Sequence, residues 1–284
     1  GFASLSDLIS EATVANKRRE YAFQKVGTTG VVAATNSLWR VGNLPAAGAA
    51  GAAAPGGAVP TKATQGALYN FDNPIGGDTQ HFIAANLVGS VAPNTLLLYD
   101  RLFSVAKTMN STATEAVTGA ITRYTNTVAG SVDSAEGNFL FVETGTALAA
   151  TAHNWNVCQY TNQAGTTLRA LPSLAGNASN IANRLDQPVS QWFAPLATGD
   201  TGVLALTQMQ CDALVATGTI DFVLGHPLAW MPVPLANVAC VVDGINTAFN
   251  LVRIFDNACL ALLEVTKAAT TATTYSGTIT TVYG

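Results

Sequence analysis

The sequence predicts an all-β fold, a β-sandwich or jelly roll, with an N-terminal helical arm and an Ala/Gly/Pro-rich linker. Three observations predict it. About eight or nine short runs rich in branched and aromatic residues follow residue 65, separated by turn signals such as Gly199-Asp200 and Asp243-Gly244. Long apolar stretches at helical spacing are missing, which disfavours doubly wound and barrel α/β folds. Only 11% of the 284 residues are charged, against roughly 25% in ordinary soluble domains. Thr, Asn, Ser, Gln and Gly must therefore cover much of the outside, and a surface so poor in charge suits a subunit whose exterior is largely interface.

Phe2, Leu5, Leu8, Ile9 and Ala12 recur at helical spacing, and Ser4 followed by Asp7 gives a capping-box-like start. Lys17, Arg18 and Arg19 come next, with Lys25 close behind, so four of the 13 basic residues sit in this segment. Residues 1–26 read as an amphipathic helix or arm carrying a local basic patch. Residues 44–60 read LPAAGAAGAAAPGGAVP. Such small side chains pack no core, so an extended linker or surface loop is expected, with a mobile hinge and an arm laid along a neighbouring subunit as options. The expected division is an arm and linker over 1–64 and a sandwich domain over 65–284.

Within the sandwich, residues 80–91 and 94–105 look like a strand pair joined near Pro93. Further strands are expected over 120–124, 138–143, 154–160, 203–211, 218–224, 259–266 and 276–283. The run GHPLAWMPVP from Gly225 carries three prolines and reads as a strand leaving its sheet for a rigid connection.

With 13 Lys and Arg against 17 Asp and Glu, the formal charge is −4, which excludes a globally cationic surface for nucleic acid. No stretch reads as a membrane span, and residues 2–14 lack the pattern of a secretory signal. Cys158, Cys211, Cys240 and Cys259 form no CxxC pair and read as buried free thiols, with a disulfide as the alternative. His81, His153 and His226 stand apart from one another, without metal-ligand spacing. GxSxG, P-loop, GxGxxG and DxDxDG motifs are absent. A carboxylate pair such as Glu136 and Glu143 would suit a glycosidase cleft only if brought together in space. Trp39, Trp155, Trp192 and Trp230 are spread along the chain and read as core or interface anchors. No enzymatic activity, cofactor or metal is expected.

Several stretches together resemble a group of tailed-phage virion proteins. Residues 95–105, TLLLYDRLFSV, are similar to that group's LYDRLW strand. Its YTN-x-AG-x-x-x-R turn is matched from Tyr160 to Arg169, and its F-P-L-x-x-G-D-x-G run from Phe193 to Gly202. HPLAWMPVPLAN from His226 and TATTYSGTITTVYG at the end complete the resemblance, which runs from about residue 80 onward. It implies a structural protein located in the virion and no enzymatic activity. A β-sandwich with a basic N-terminal arm suits a head cement or decoration protein that docks on the capsid lattice, as a homo-oligomer such as a trimer. The alternatives are a major capsid protein that forms the shell, and a fibre or spike module that binds host glycan. The expected anchors are Phe2, Leu5, Leu8 and Ile9. Lys17, Arg18 and Arg19 would supply charge complementarity to other virion proteins or, more weakly, to packaged DNA. No membrane partner is expected.

Overall fold

The computed structural model describes residues 1–29, 31–245, 251–266 and 268–284. Among them one helix, α1 (Leu5–Thr13), precedes ten strands of four or more residues. These are β1 (Arg18–Val26), β2 (Gln80–Gly89), β3 (Asn94–Thr108), β4 (Phe139–Thr146), β5 (Gln159–Asn162), β6 (Val203–Met209), β7 (Thr219–Val233), β8 (Cys240–Asp243), β9 (Leu260–Thr266) and β10 (Thr274–Tyr283). The first sheet runs β8-β2-β10-β1, and the second β9-β3-β7-β4. A small third sheet pairs β5 with β6. Every pairing among these ten strands is antiparallel. The chain is an all-β sandwich with an N-terminal helix.

The second sheet is the centre. Its long strands β3 and β7 pair from Asn94–Val233 to Thr108–Thr219. Leu96 and Leu98 of β3 pack with Phe23, Phe82, Leu87, Tyr275 and Ile279 of the first sheet. Leu97 and Tyr99 alternate with them and so point to the opposite face, where Trp39, Phe141, Leu185 and Leu263 join them. Further along, Phe103, Val105 and Phe222 pack with Tyr160, Leu206 and Met209 of the third sheet. A sheet covered on both faces has no need of alternating polarity. The unbroken run Leu96-Leu97-Leu98-Tyr99 records that directly, each residue being 0% exposed.

Several expectations need correction. Residues 80–91 and 94–105 are strands but not partners: β2 lies between β8 and β10 in the first sheet, β3 between β9 and β7 in the second. Residues 120–124 form an irregular, bent segment and not a strand. The proline-rich run does not leave its sheet, since β7 continues through Pro227 and Pro232 to Val233. Beyond Gly225, β4 has ended and β7 pairs on one side only. Proline is tolerated at such an edge because one row of N–H groups has no partner to lose.

The N-terminal segment is also more integral than an arm. Residues 18–26 form β1, paired along its whole length with β10, so the division at residue 64 cuts through the first sheet. Phe23 and Lys25 are buried while Ala22, Gln24 and Val26 are exposed. That period of two outweighs the basic patch as a structural signal. Residues 44–60 lie on this chain's own second sheet. Ala52–Ala53 runs parallel to Val105–Ala106, Gly48 N donates to Trp39 O at 2.8 Å, and Trp39 Nε1 donates to Ala49 O at 2.8 Å. A Cβ on Gly48 would fall 2.2 Å from the Trp39 ring, and one on Gly51 2.8 Å from the Ser104 backbone. The small residues therefore serve close approach, not flexibility.

Candidate assembly surface and buried polar centres

Ser4 caps α1, its Oγ accepting from Asp7 N at 3.1 Å, and Asp7 reaches back to accept from Ala3 N at 2.9 Å. The helix packs against β10 and β1. The four expected anchors divide between two roles. Leu8 is buried at 4% exposure and Phe2 lies tilted against His81 with ring centroids 5.3 Å apart, so both hold α1 to its own sheet. Leu5 and Ile9 are 58% and 54% exposed. One turn apart, they form an apolar stripe facing outward.

The basic cluster is engaged within the chain. Lys17 Nζ lies 2.7 Å from both Glu11 and Asp78 carboxylates, and these hydrogen bonds raise its pKa. Arg18 pairs with Glu20 at 2.8 Å. Arg19 donates to Tyr283 Oη at 2.9 Å and lies over that ring. Lys17 and Arg18 are thus ion-paired, whereas Arg19 is held by neutral acceptors and keeps its charge uncompensated.

The sheet brings forward a surface that sequence reasoning did not single out. Directly opposed residues of antiparallel strands share a face. Register therefore aligns Ala22, Thr278, Asn86 and Val241 in one row on the first sheet's outer side. Gln24, Ser276 and Val88 form the next row, and Glu20, Thr280, Ala84 and Asp243 the row on the other flank. Val282 has the outward parity yet is 2% exposed where α1 packs, so the helix covers one end. The remainder is small, mostly neutral and uncovered, with Val241 at 67% exposure and a shallow depression of about 260 Å³ between β2 and β10. The alternation of β1 and β10 was the available signal.

Several charged side chains form ion pairs in the interior. Arg40 and Arg101 share the carboxylates of Glu143 and Asp221. Glu143 accepts from Arg101 Nη1 at 3.0 Å, from Arg40 Nε at 2.9 Å and from Ser37 Oγ at 2.6 Å. Burial pushes its pKa up, and the two guanidiniums outweigh that and hold it down. Fully buried, Glu143 is unavailable as a glycosidase carboxylate, and Glu136 accepts from Gly130 N in a separate turn. Arg123 clamps Asp100 with two hydrogen bonds of 2.7 and 2.8 Å.

The two downstream stretches that carry the phage-like resemblance meet at one carboxylate. Asp200 accepts from Tyr160 Oη at 2.5 Å and from Asn162 Nδ2 and Arg169 Nε at 2.8 Å each. These residues tie loops together.

His153 pairs with Asp186 at 2.8 Å in the interior, while His81 and His226 come to the same cleft. Burial pushes the His226 imidazole down to about 4. Among the described residues, no group of three or more His, Cys, Asp or Glu side chains could hold a metal ion, and no helix is long and apolar enough to cross a membrane. The four cysteines are free thiols. Burial pushes Cys158 and Cys259 up to about 12, which makes them unreactive. Trp39 and Trp155 are core residues, but Trp192 and Trp230 meet on the surface, 44% and 43% exposed with ring centroids 5.5 Å apart.

No protein-family model matches the chain, and no curated protein matches it. A structure of infectious bursal disease virus, Gt strain, aligns at TM-score 0.16 and 10% identity, over 94% of this chain and 81% of that one. The crystal structure of the VP2 subviral particle of the same virus aligns at TM-score 0.17 and 10% identity, over 97% and 86%. Overlays at this level carry no argument about function.

Proposed function

We propose that this chain is a structural subunit of a virion, a head cement or decoration protein that docks on a capsid lattice and contacts further copies of itself. One observation carries the reading: the outer face of the first sheet is mostly neutral and uncovered among the described residues, in a protein only 11% charged that buries nine of its charged side chains. Such a face has little to keep two copies apart. The exposed Leu5–Ile9 stripe adds apolar area. The phage-like stretches supply strand segments of β3, β7 and β10 and the loop contacts at Asp200, which supports a structural role. The engagement of Lys17, Arg18 and Arg19 within the chain favours a protein partner over packaged DNA.

Sedimentation of the purified chain, alone and with preformed shells, tests it. A small discrete oligomer that binds shells is expected. Closed particles from the chain alone would identify the shell-forming subunit instead. A monomer that binds neither would overturn both. Deleting residues 1–26 is unsuitable, because it removes β1. Leu5→Asp with Ile9→Asp is the better probe and is expected to weaken association while leaving the fold intact. A second reading, a glycan-binding module, draws on the exposed Trp192–Trp230 pair. Loss of binding to a glycan array on Trp230→Ala would favour it.

A further inference from the structure

We propose that the cleft around Arg253 is a binding site for a carboxylate-bearing saccharide, independent of the assembly surface. Two cavities, of about 390 and 210 Å³, share Tyr124 and Arg253 as common wall. The guanidinium of Arg253 lies over the Phe255 ring, 4.3 Å from its centroid. Its Nε is buried without a hydrogen-bond partner, and among the described residues it has no ion pair. A buried, unpartnered donor on a permanently charged group is costly unless something accepts from it. Arg123, on the same wall, already has its charge paired with Asp100 and donates to Pro60 O and Arg101 O, so Arg253 is the arginine of this wall without a carboxylate partner among the described residues.

The surroundings narrow the class. The two Nη groups of Arg253 make no hydrogen bond among the described residues and are not buried as Nε is; they form a planar fork that matches a carboxylate. Asp133 and Asp256 line the smaller cavity. They oppose a polyanion but accept hydrogen bonds from sugar hydroxyls, as do the Thr122 and Thr125 side chains beside them. The aromatic side is fixed: Tyr124 stacks on His226 with centroids 3.7 Å apart and meets Phe255 edge-on at 4.8 Å. Its hydroxyl donates to Arg253 O at 3.5 Å. A pyranose carboxylate would place its charge on the fork, its hydroxyls on the acidic side and its apolar C–H face on an aromatic ring.

Calorimetric titration of the full chain with D-glucuronate, D-glucose and sodium sulfate tests this, with amide NMR shifts as a second readout. Glucuronate is expected to bind and to move resonances of residues 122–125 and 253–256, while glucose and sulfate do not bind. Arg253→Gln is expected to lose at least about tenfold in affinity with a melting profile lowered only slightly, since the side chain makes no hydrogen bond among the described residues and loses only its contact with Phe255. Arg253→Lys, which keeps the charge but not the fork, is expected to fall between. Absence of glucuronate binding, equal binding of sulfate, or undiminished binding by Arg253→Gln would each overturn the proposal.

Discussion

The first and second sheets are neighbours in one sandwich, yet they treat polarity in opposite ways. The second is packed on both faces and holds Arg101, Glu143 and Asp221 at 0% exposure. The first has one packed face and one bare face on which Thr, Ser, Asn, Ala and Val predominate. Nine charged side chains are buried among the described residues, so a chain already poor in charge presents still less of it outside. The usual distribution places nearly all such groups at the surface. The contrast teaches that low charge content here is a property of the exterior, and that the interior ion pairs fix geometry.

A lysine placed on each sheet gives the largest expected difference. Val223→Lys, at 0% exposure in β7, should cost more than about 4 kcal/mol or abolish folding. Thr278→Lys, on the bare face, should change stability by less than about 0.5 kcal/mol while disrupting association. Urea unfolding and sedimentation measure the two effects, and equal stability losses would break the comparison. Next comes Arg101→Met, which leaves Glu143 and Asp221 with Arg40 as their only cation. A loss of about 3–5 kcal/mol is expected in urea unfolding, as for other broken buried pairs. Gly48→Ala drives a methyl into the Trp39 ring and should cost about 1–3 kcal/mol, read as a lowered melting temperature. A mobile linker would show no such loss.

The smallest effect is a pH dependence. Burial pushes His153 down, but the hydrogen bond and charge of Asp186 outweigh this, so its pKa is raised. The stabilisation is complete below the ordinary histidine value of about 6.5 and is lost as pH rises through the raised one. Unfolding free energy should therefore decline over that window, and His153→Gln should flatten the decline.

The sheet architecture was legible where one physical signal dominated. β9 and β10 show branched residues between turns, and β3 shows the continuous apolar run of a doubly covered strand. β1 was obscured because Lys17, Arg18 and Arg19 drew attention to charge while the alternation of Tyr21, Phe23 and Lys25 carried the structure. Residues 44–60 were misread because a glycine needed for flexibility and a glycine needed for contact look alike until Trp39 is in place. Arg253 and the Trp192–Trp230 pair depend on segments far apart in sequence, which local periodicity does not report. The outer face of the first sheet was present in the alternation, but only register shows that its neutral positions align across four strands.

The position of β10 has a consequence in time. It sits between β2 and β1, although it is the last of these strands to be synthesised. Until it is threaded into place, β1 has no long partner and the bare face does not exist. A nascent or partly folded chain thus lacks this face, and the proposed association would be deferred until β10 closes the sheet.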